Sequence, residues 1–166
     1  GVEADEAQAV GWFRKAVEQG QLHAQYNLAV RLRDGRGIEA DLENARELFG
    51  KAAENELAAA QFALAQMWAA GVGGEQDEPN ATQWFRKAAG QGHAAAQNNL
   101  ARRLVEGIGA EANLPEALDW LEARVRAWRE DRHGWQASGM RLWKRGVMQK
   151  VFGQEVPVRF SDDAPT

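Results

Sequence analysis

The 166-residue chain contains no cysteine and only two serines, and these absences exclude several kinds of chemistry. Without cysteine there is no disulfide, no thiolate metal site and no cysteine nucleophile. Neither Ser138 nor Ser161 lies in the G-x-S-x-G pattern of a hydrolytic nucleophile. No apolar run approaches the roughly 18 residues that a membrane helix needs. We therefore expect no membrane span and no catalytic residue.

Basic charge is scarce along most of the chain and concentrated near its end. Residues 1–123 have a net charge of −8, residues 124–150 of +6 and residues 151–166 of −2. A nucleic-acid-binding domain usually spreads basic charge over one face, so we expect no nucleic-acid partner. The three histidines, His23, His93 and His133, follow no metal-ligand spacing. We therefore expect no metal and no cofactor.

The dominant feature of the chain is an internal repeat with a period of 36 residues. A shift by that period aligns WFRKAVEQG at 12–20 with LFGKAAENE at 48–56 and WFRKAAGQG at 84–92. A second shared segment, HAQYNLA, AAQFALA or AAQNNLA, follows each of these. A fixed period of this length is the signature of stacked units that cannot bury their apolar faces alone.

The turn-forming residues within each period predict a helical hairpin. The predicted N-caps are Asp5, Asp41, Asp77 and Asn113, with Gln8 and Glu116 at capping-box spacing and Pro79 and Pro115 in the first turn. The predicted ends of the first helices are Gly20, Gly92 and, in the second unit, Asn55 with Glu56, where Asn is the usual substitute for glycine. The second helices are predicted to end at Gly35, Gly71 and Gly107. Each period therefore encodes two helices joined by a short turn.

An apolar stripe at i, i+3, i+4, i+7 spacing runs along the first helix of each unit. In the first unit it consists of Ala9, Trp12, Phe13 and Ala16, and the same positions recur 36 and 72 residues later. We expect these side chains, tryptophans included, to form core between hairpins and not to bind a cofactor.

The pattern WFRKAAxQGxxxAQxxLAxxxxxGxG, followed by Asp or Asn and then by Ala four residues later, resembles the Sel-one-like repeat. This repeat is a 36-residue relative of the tetratricopeptide repeat, and the resemblance covers residues 1–123. It implies an all-α fold, a right-handed α-solenoid of stacked helix-turn-helix units. It also implies a non-enzymatic protein that binds another protein, such as an effector, an enzyme or an envelope component.

Two kinds of function follow from the resemblance. The first is a bacterial adaptor or immunity protein that neutralises a secreted effector, including a phospholipase of a type VI secretion system, or an envelope scaffold. The second is a hydrolase, since hydrolytic activity has been proposed for cysteine-rich secreted members of the family. Because this chain has neither cysteine nor a nucleophile arrangement, we expect a binding protein and not an enzyme.

In tetratricopeptide-like arrays the first helix of each hairpin lines the concave side, and the resemblance implies the same arrangement here. The candidate partner-binding residues, opposite the apolar stripe, are Arg14, Glu18, Glu43, Glu47, Glu54, Gln83, Arg86, Asp119 and Glu122. Their acidic excess favours a partner that offers Arg or Lys, or the chain's own basic segment. Three glycines on the same face, Gly11, Gly50 and Gly90, either admit a partner closely or let neighbouring first helices pack together.

Residues 124–166 have no counterpart in the repeat. We predict capping helices over 124–152 and an extended tail over 153–166, because a solenoid needs an atypical unit to cover its last apolar face. The basic aromatic surface of 124–152 could instead hold a partner protein, an anionic lipid or a nucleic acid. The candidate residues for that role are Arg141, Lys144 and Arg145.

The chain opens at the phase of an inter-repeat loop, since GVEAD at 1–5 matches GIEAD at 37–41. Either a leader or a further hairpin precedes this loop, or the array begins with it. Because the resembling proteins are often exported in bacteria, we expect a periplasmic or envelope location after removal of a leader, with the cytoplasm as the alternative. The sequence leaves the oligomeric state open, and a monomer is the expectation.

Overall fold

The computed structural model describes the backbone of residues 2–131 and the side chains of residues 5–123. This part of the chain folds into seven α-helices without strands: α1 Val2–Glu18, α2 Leu22–Asp34, α3 Leu42–Glu54, α4 Ala58–Ala70, α5 Glu78–Gly90, α6 Ala94–Glu106 and α7 Leu114–Asp131. Residues up to Trp120 form one compact unit, and its boundary falls inside α7. The predicted C-terminal cap beyond residue 131, the tail, and Arg141, Lys144 and Arg145 lie outside the described residues.

The helices pair as hairpins, and the hairpins stack in chain order. Within hairpins, α1 packs on α2, α3 on α4 and α5 on α6. Between hairpins, the second helix of one unit packs on the first helix of the next, as α2 does on α3 and α4 on α5. The predicted all-α solenoid with its 36-residue period is therefore confirmed.

The starts of the first helices are set by the predicted capping residues in three units. Backbone N–H groups donate to the side chains of Asp41 (from Asn44, 3.0 Å), Asp77 (from Asn80, 2.8 Å) and Asn113 (from Glu116, 3.1 Å). Each capping residue also donates its own N–H to the second helix of the preceding hairpin, to the carbonyls of Leu32, Trp68 and Leu104 at 2.9, 3.0 and 2.8 Å. These bonds hold the capping residue at the junction between units.

The predicted N-cap at Asp5 is wrong, and so is the capping box that pairs it with Gln8. Helix α1 begins at Val2, which places Asp5 inside the helix. Unlike Asp41, Asp77 and Asn113, Asp5 makes no hydrogen bond to a second helix among the described residues.

The predicted left-handed residue at the end of α3 is also displaced by one position. Gly20 and Gly92 have φ of 74° and 81°, as predicted, but in the second hairpin Glu56 has φ of 63° while Asn55 stays at −87°. Leu57 N–H bonds the carbonyl of Ala52 at 3.2 Å, so the turn closes in its repeat-wide geometry whatever residue occupies it. The position within the repeat therefore decides which residue adopts the left-handed conformation, and the intrinsic preference of Asn for that conformation does not.

The core lies between the helices and consists of alanine, leucine and paired aromatic rings. In α3 the whole predicted stripe, Ala45, Leu48, Phe49 and Ala52, is buried. The rings of Tyr26 and Phe49 meet edge to face between the first two hairpins, and those of Phe62 and Phe85 repeat this contact between the next two.

The prediction that the tryptophans form core is wrong for Trp12, whose side chain is 63% exposed. At the same phase Leu48 is buried, and Trp84 is half-buried against the core. Side chains at this position of the repeat face the preceding hairpin where there is one. Among the described residues, no hairpin precedes α1.

Candidate functional site

The candidate site is the face of the first helices that lies opposite the buried stripe. It is set by helical periodicity, since burying Ala45, Leu48 and Phe49 of α3 turns the remaining positions toward solvent. Eight of the nine candidate side chains are exposed: Arg14, Glu18, Glu43, Glu47, Glu54, Gln83, Asp119 and Glu122. Glu122 lies beyond Trp120 and thus outside the compact unit.

Arg86, the ninth candidate, is half-buried and pairs with Glu116 at the start of α7. Its Nη2 lies 2.9 Å from Oε1 and 3.2 Å from Oε2 of Glu116, and its Nε donates to Oε1 at 3.2 Å. Trp120 Nε1 and Asn113 Nδ2 also donate to the Glu116 carboxylate, at 3.4 and 3.2 Å. Arg86 therefore joins two successive first helices, and this site residue already has a partner within the chain.

The remaining candidates of the compact unit carry a strong acidic excess. Arg14 is the one cation among them, against Glu18, Glu43, Glu47, Glu54 and Asp119. Glu47 contacts Lys51 at 2.6 Å, but both side chains are more than half exposed, so the pair is weak. Among the side chains of residues 5–123, neither Glu43 nor Glu54 forms an ion pair. The face therefore attracts positive charge.

The three glycines on this face stand against open space. A Cβ added at Gly11, Gly50 or Gly90 would meet no atom within 4 Å. Close packing of neighbouring first helices, one of the two interpretations of these glycines, is therefore not what the structure shows at these positions. The space beside the backbone at each of these glycines is therefore open to an approaching group.

His93 acts as a helix cap, a role that the sequence analysis missed. Its Nδ1 accepts a hydrogen bond from the N–H of Ala96 at 3.3 Å, and its ring stacks on Phe62 with centroids 4.6 Å apart. Burial lowers the pKa of His93, which disfavours protonation of the accepting nitrogen. The sequence feature that could have indicated this cap is the position of His93, three residues before Ala96, the first residue of the shared AQ pair.

Within the described part of the chain, no group of three or more His, Asp or Glu side chains is placed to hold a metal ion. Over the same residues, no helix combines the length and the apolar character that crossing a membrane requires.

The comparisons with known proteins agree with this architecture. The sequence model of the Sel1 repeat matches residues 1–21, 22–57, 58–93 and 94–123. A search of the curated proteins found no match.

Solved structures similar to this chain are themselves repeat proteins. One is the protective antigen c5321 of uropathogenic Escherichia coli, with an SLR fold (26% identity, TM-score 0.79, 92% of this chain and 31% of the antigen covered). Another is a Sel1 repeat protein from Oxalobacter formigenes (31% identity, TM-score 0.65, 75% and 54% covered). Cysteine-rich protein B of Helicobacter pylori shares the fold (21% identity, TM-score 0.59, 76% and 90% covered).

This chain thus spans about a third of the antigen and about half of the Oxalobacter protein. Four consecutive matches to one repeat cover most of its length, in agreement with the stacked hairpins of the structure. The chain belongs to the Sel1-repeat family.

Proposed function

We propose that this chain is a non-enzymatic adaptor of the immunity type, which holds a basic segment of a secreted effector against the acidic face of its first helices. Sel1 repeats generally mediate protein–protein interactions, which supports a protein partner. The observation that carries the proposal is the exposed row of Glu43, Glu47 and Glu54 on α3, beside open backbone at Gly50.

The charge and the accessibility of the acidic face both favour a basic partner segment. Carboxylates on a rigid helix attract a partner's Arg or Lys over several ångströms and accept hydrogen bonds from them at contact. The solenoid presents these groups without reorganisation, which limits the entropy lost on binding. Neutralising an effector requires only that its working surface be covered, so no reactive group is needed on this side.

The test is affinity capture of the full chain from its source, followed by titration of the captured protein. We expect the double reversal Glu43→Lys/Glu54→Lys to weaken binding at least tenfold, and the wild-type affinity to fall as salt rises. Glu106→Lys, an exposed acid on the second helix α6, is the matched control and should leave the affinity unchanged.

Two results would contradict the proposal. One is a captured protein whose affinity is unaffected by the reversals in α3. The other is retention of anionic lipid or nucleic acid with no protein, which would assign the function to the basic residues of 124–152.

We also propose a periplasmic or envelope location. Fractionation of the source cells should then find the chain in the periplasm or envelope, and a purely cytoplasmic chain would contradict this location.

A further inference from the structure

The turns inside the second and third hairpins have similar backbones but different side chains. The α3–α4 turn consists of residues 55–57, and the α5–α6 turn consists of residues 91–93, at the same phase of the repeat. In both, the third residue donates its N–H to the carbonyl five residues earlier, at 3.2 and 3.1 Å. The two turns can therefore be compared residue by residue.

Each position of the α5–α6 turn is favourable. Gln91 Nε2 donates to Oε1 of Gln61 on α4 at 2.8 Å, which ties the turn to the preceding hairpin. Gly92 has φ of 81° and avoids the strain that a Cβ would bring there. His93 caps α6, and its ring stacks on Phe62 of α4. This turn is thus bound both to its own second helix and to the hairpin before it.

The α3–α4 turn lacks the corresponding bond to the preceding hairpin. Asn55 has the phase of Gln91 and a side chain that is shorter by one methylene group. Its Nδ2 donates instead to the carbonyl of Lys51 in its own helix, at 2.8 Å. Gln25 of α2 has the phase of Gln61, and its Oε1 is buried with no hydrogen-bond partner among the described residues. A buried oxygen without a donor is costly, so the contact between this turn and α2 is weakened.

The other two residues of the α3–α4 turn are also less favourable than their counterparts. Glu56 has φ of 63°, a conformation in which a Cβ is strained. Leu57 precedes α4 without a capping bond, because its side chain has no acceptor. The edge-to-face ring contacts of the two junctions are alike, with centroids 5.6 and 5.7 Å apart. The difference between the junctions therefore lies in the turn.

The opposite end of the α2–α3 junction is closed. There the N–H of Asp41, which caps α3, bonds the carbonyl of Leu32 in α2 at 2.9 Å. Asp77 and Trp68 form the same bond at 3.0 Å in the next junction. The helices α2 and α3 are thus joined by this bond at one end and lack the glutamine bond at the other.

We propose that the α3–α4 turn is a hinge, at which the end of the α2–α3 junction next to Gln25 opens while the end at Asp41 stays closed. Opening gives Gln25 Oε1 access to water and releases the strain at Glu56. It also moves Glu54, the last residue of α3, so that the acidic face adjusts to a bound partner. This last consequence rests on the proposed function, whereas the hinge itself does not.

Native-state hydrogen exchange of the full chain, followed by NMR with no partner present, tests the hinge. After correction for intrinsic exchange rates, we expect the amide of Leu57 to exchange at least about tenfold faster than that of His93. The amides of Asp41 and Asp77, at the closed ends of the two junctions, are the matched controls. These two should exchange at similar rates.

The triple variant Asn55→Gln/Glu56→Gly/Leu57→His copies the α5–α6 turn onto the hinge. The reporter is the amide of Gln61, which bonds the carbonyl of residue 57 at 3.0 Å, as Gln97 bonds the carbonyl of residue 93. The variant should slow exchange at Gln61 to the rate of Gln97, because it supplies the missing hydrogen bond, the glycine and the cap.

The reverse variant, Gln91→Asn/Gly92→Glu/His93→Leu, introduces the same three defects into the α5–α6 turn. It should speed exchange at Gln97 by about tenfold or more. If the first variant does not fold, this one decides, and unchanged exchange at Gln97 contradicts the proposal.

Three further results would overturn the hinge. One is equal exchange at Leu57 and His93 in the wild-type chain. Another is exchange at Asp41 as fast as at Leu57, which would mean that the first hairpin loosens as a whole. The third is a folded copy of the α5–α6 turn at 55–57 that leaves exchange at Gln61 unchanged.

Discussion

Arg103 and Glu78 form an ion pair inside the third hairpin, at the two positions where the second hairpin has Met67 and Leu42. Arg103 is 3% exposed, and its Nη1 and Nη2 lie 2.7 and 2.5 Å from Oε2 of Glu78. The first hairpin has Arg31 and Glu6 at the same phases, 3.5 Å apart. The repeat thus accepts either a charged or an apolar pair at one structural position.

This substitution pattern predicts the response of the pair to mutation. Glu78→Leu alone should destabilise the chain by about 2–4 kcal/mol, because it leaves the buried guanidinium without its counter-charge. Arg103→Met with Glu78→Leu, which copies the second hairpin, should lie within about 1 kcal/mol of wild type. Urea unfolding of the two single variants and the double variant measures the coupling. If the two single effects simply add, the pair is not the coupled unit described here.

The left-handed conformation of Glu56 predicts a stabilising substitution. A side chain with a Cβ is strained at φ of 63°, and the equivalent residues Gly20 and Gly92 avoid this strain. Glu56→Gly should therefore raise the free energy of unfolding by about 0.5–1 kcal/mol. Glu54→Gly, two residues earlier at the last residue of α3, is the control and should lower it by up to about 1 kcal/mol. Equal losses from both would argue against the left-handed turn.

The cap formed by His93 predicts a pH dependence of stability. Its folded-state pKa is lowered by burial, so the folded chain disfavours the protonated ring more than the unfolded chain does. The stabilisation is present above the unfolded-state pKa of about 6.5 and is lost as the pH falls through that value toward the folded-state pKa.

Variants at both described histidines isolate this contribution. Urea unfolding at pH 7.5 and 5.5 should show a smaller pH effect for His93→Leu, which places there the residue found at Leu57. His23→Gln, at an exposed position, should keep the wild-type difference. The cap would be unimportant if the His93→Leu chain lost as much stability on acidification as wild type.

Substitution of Gly50 should change the stability of the chain and its partner affinity in opposite directions. It lies inside α3 with open space around the position of a Cβ, so Gly50→Ala should raise the free energy of unfolding by about 1 kcal/mol. If a partner chain approaches the backbone at Gly50, the same substitution should weaken its binding. Calorimetric titration of the captured partner against both chains tests this. A stabilised chain with unchanged affinity would show that the contact does not reach Gly50.

The caps at Asp41, Asp77 and Asn113 could be predicted because a capping bond spans three residues and depends on local sequence. Asp5 follows the same Glu-Ala pair as Asp41 and does not cap, since α1 begins at Val2 and runs through it. The acidic excess of the first-helix face could be predicted from periodicity. The engagement of Arg86 by Glu116 could not, since these residues are 30 positions apart.

The sequence by itself determined the period, the pairing of helices into hairpins and the composition of each helix face, since all three follow from recurring local patterns. The tertiary structure decided which copy of each repeated position is covered. Trp12 is exposed while Leu48 at its phase is buried, and Glu56 adopts the conformation of a glycine. In a stacked array, the environment of a residue depends on the neighbouring unit, which the residue's own segment does not encode.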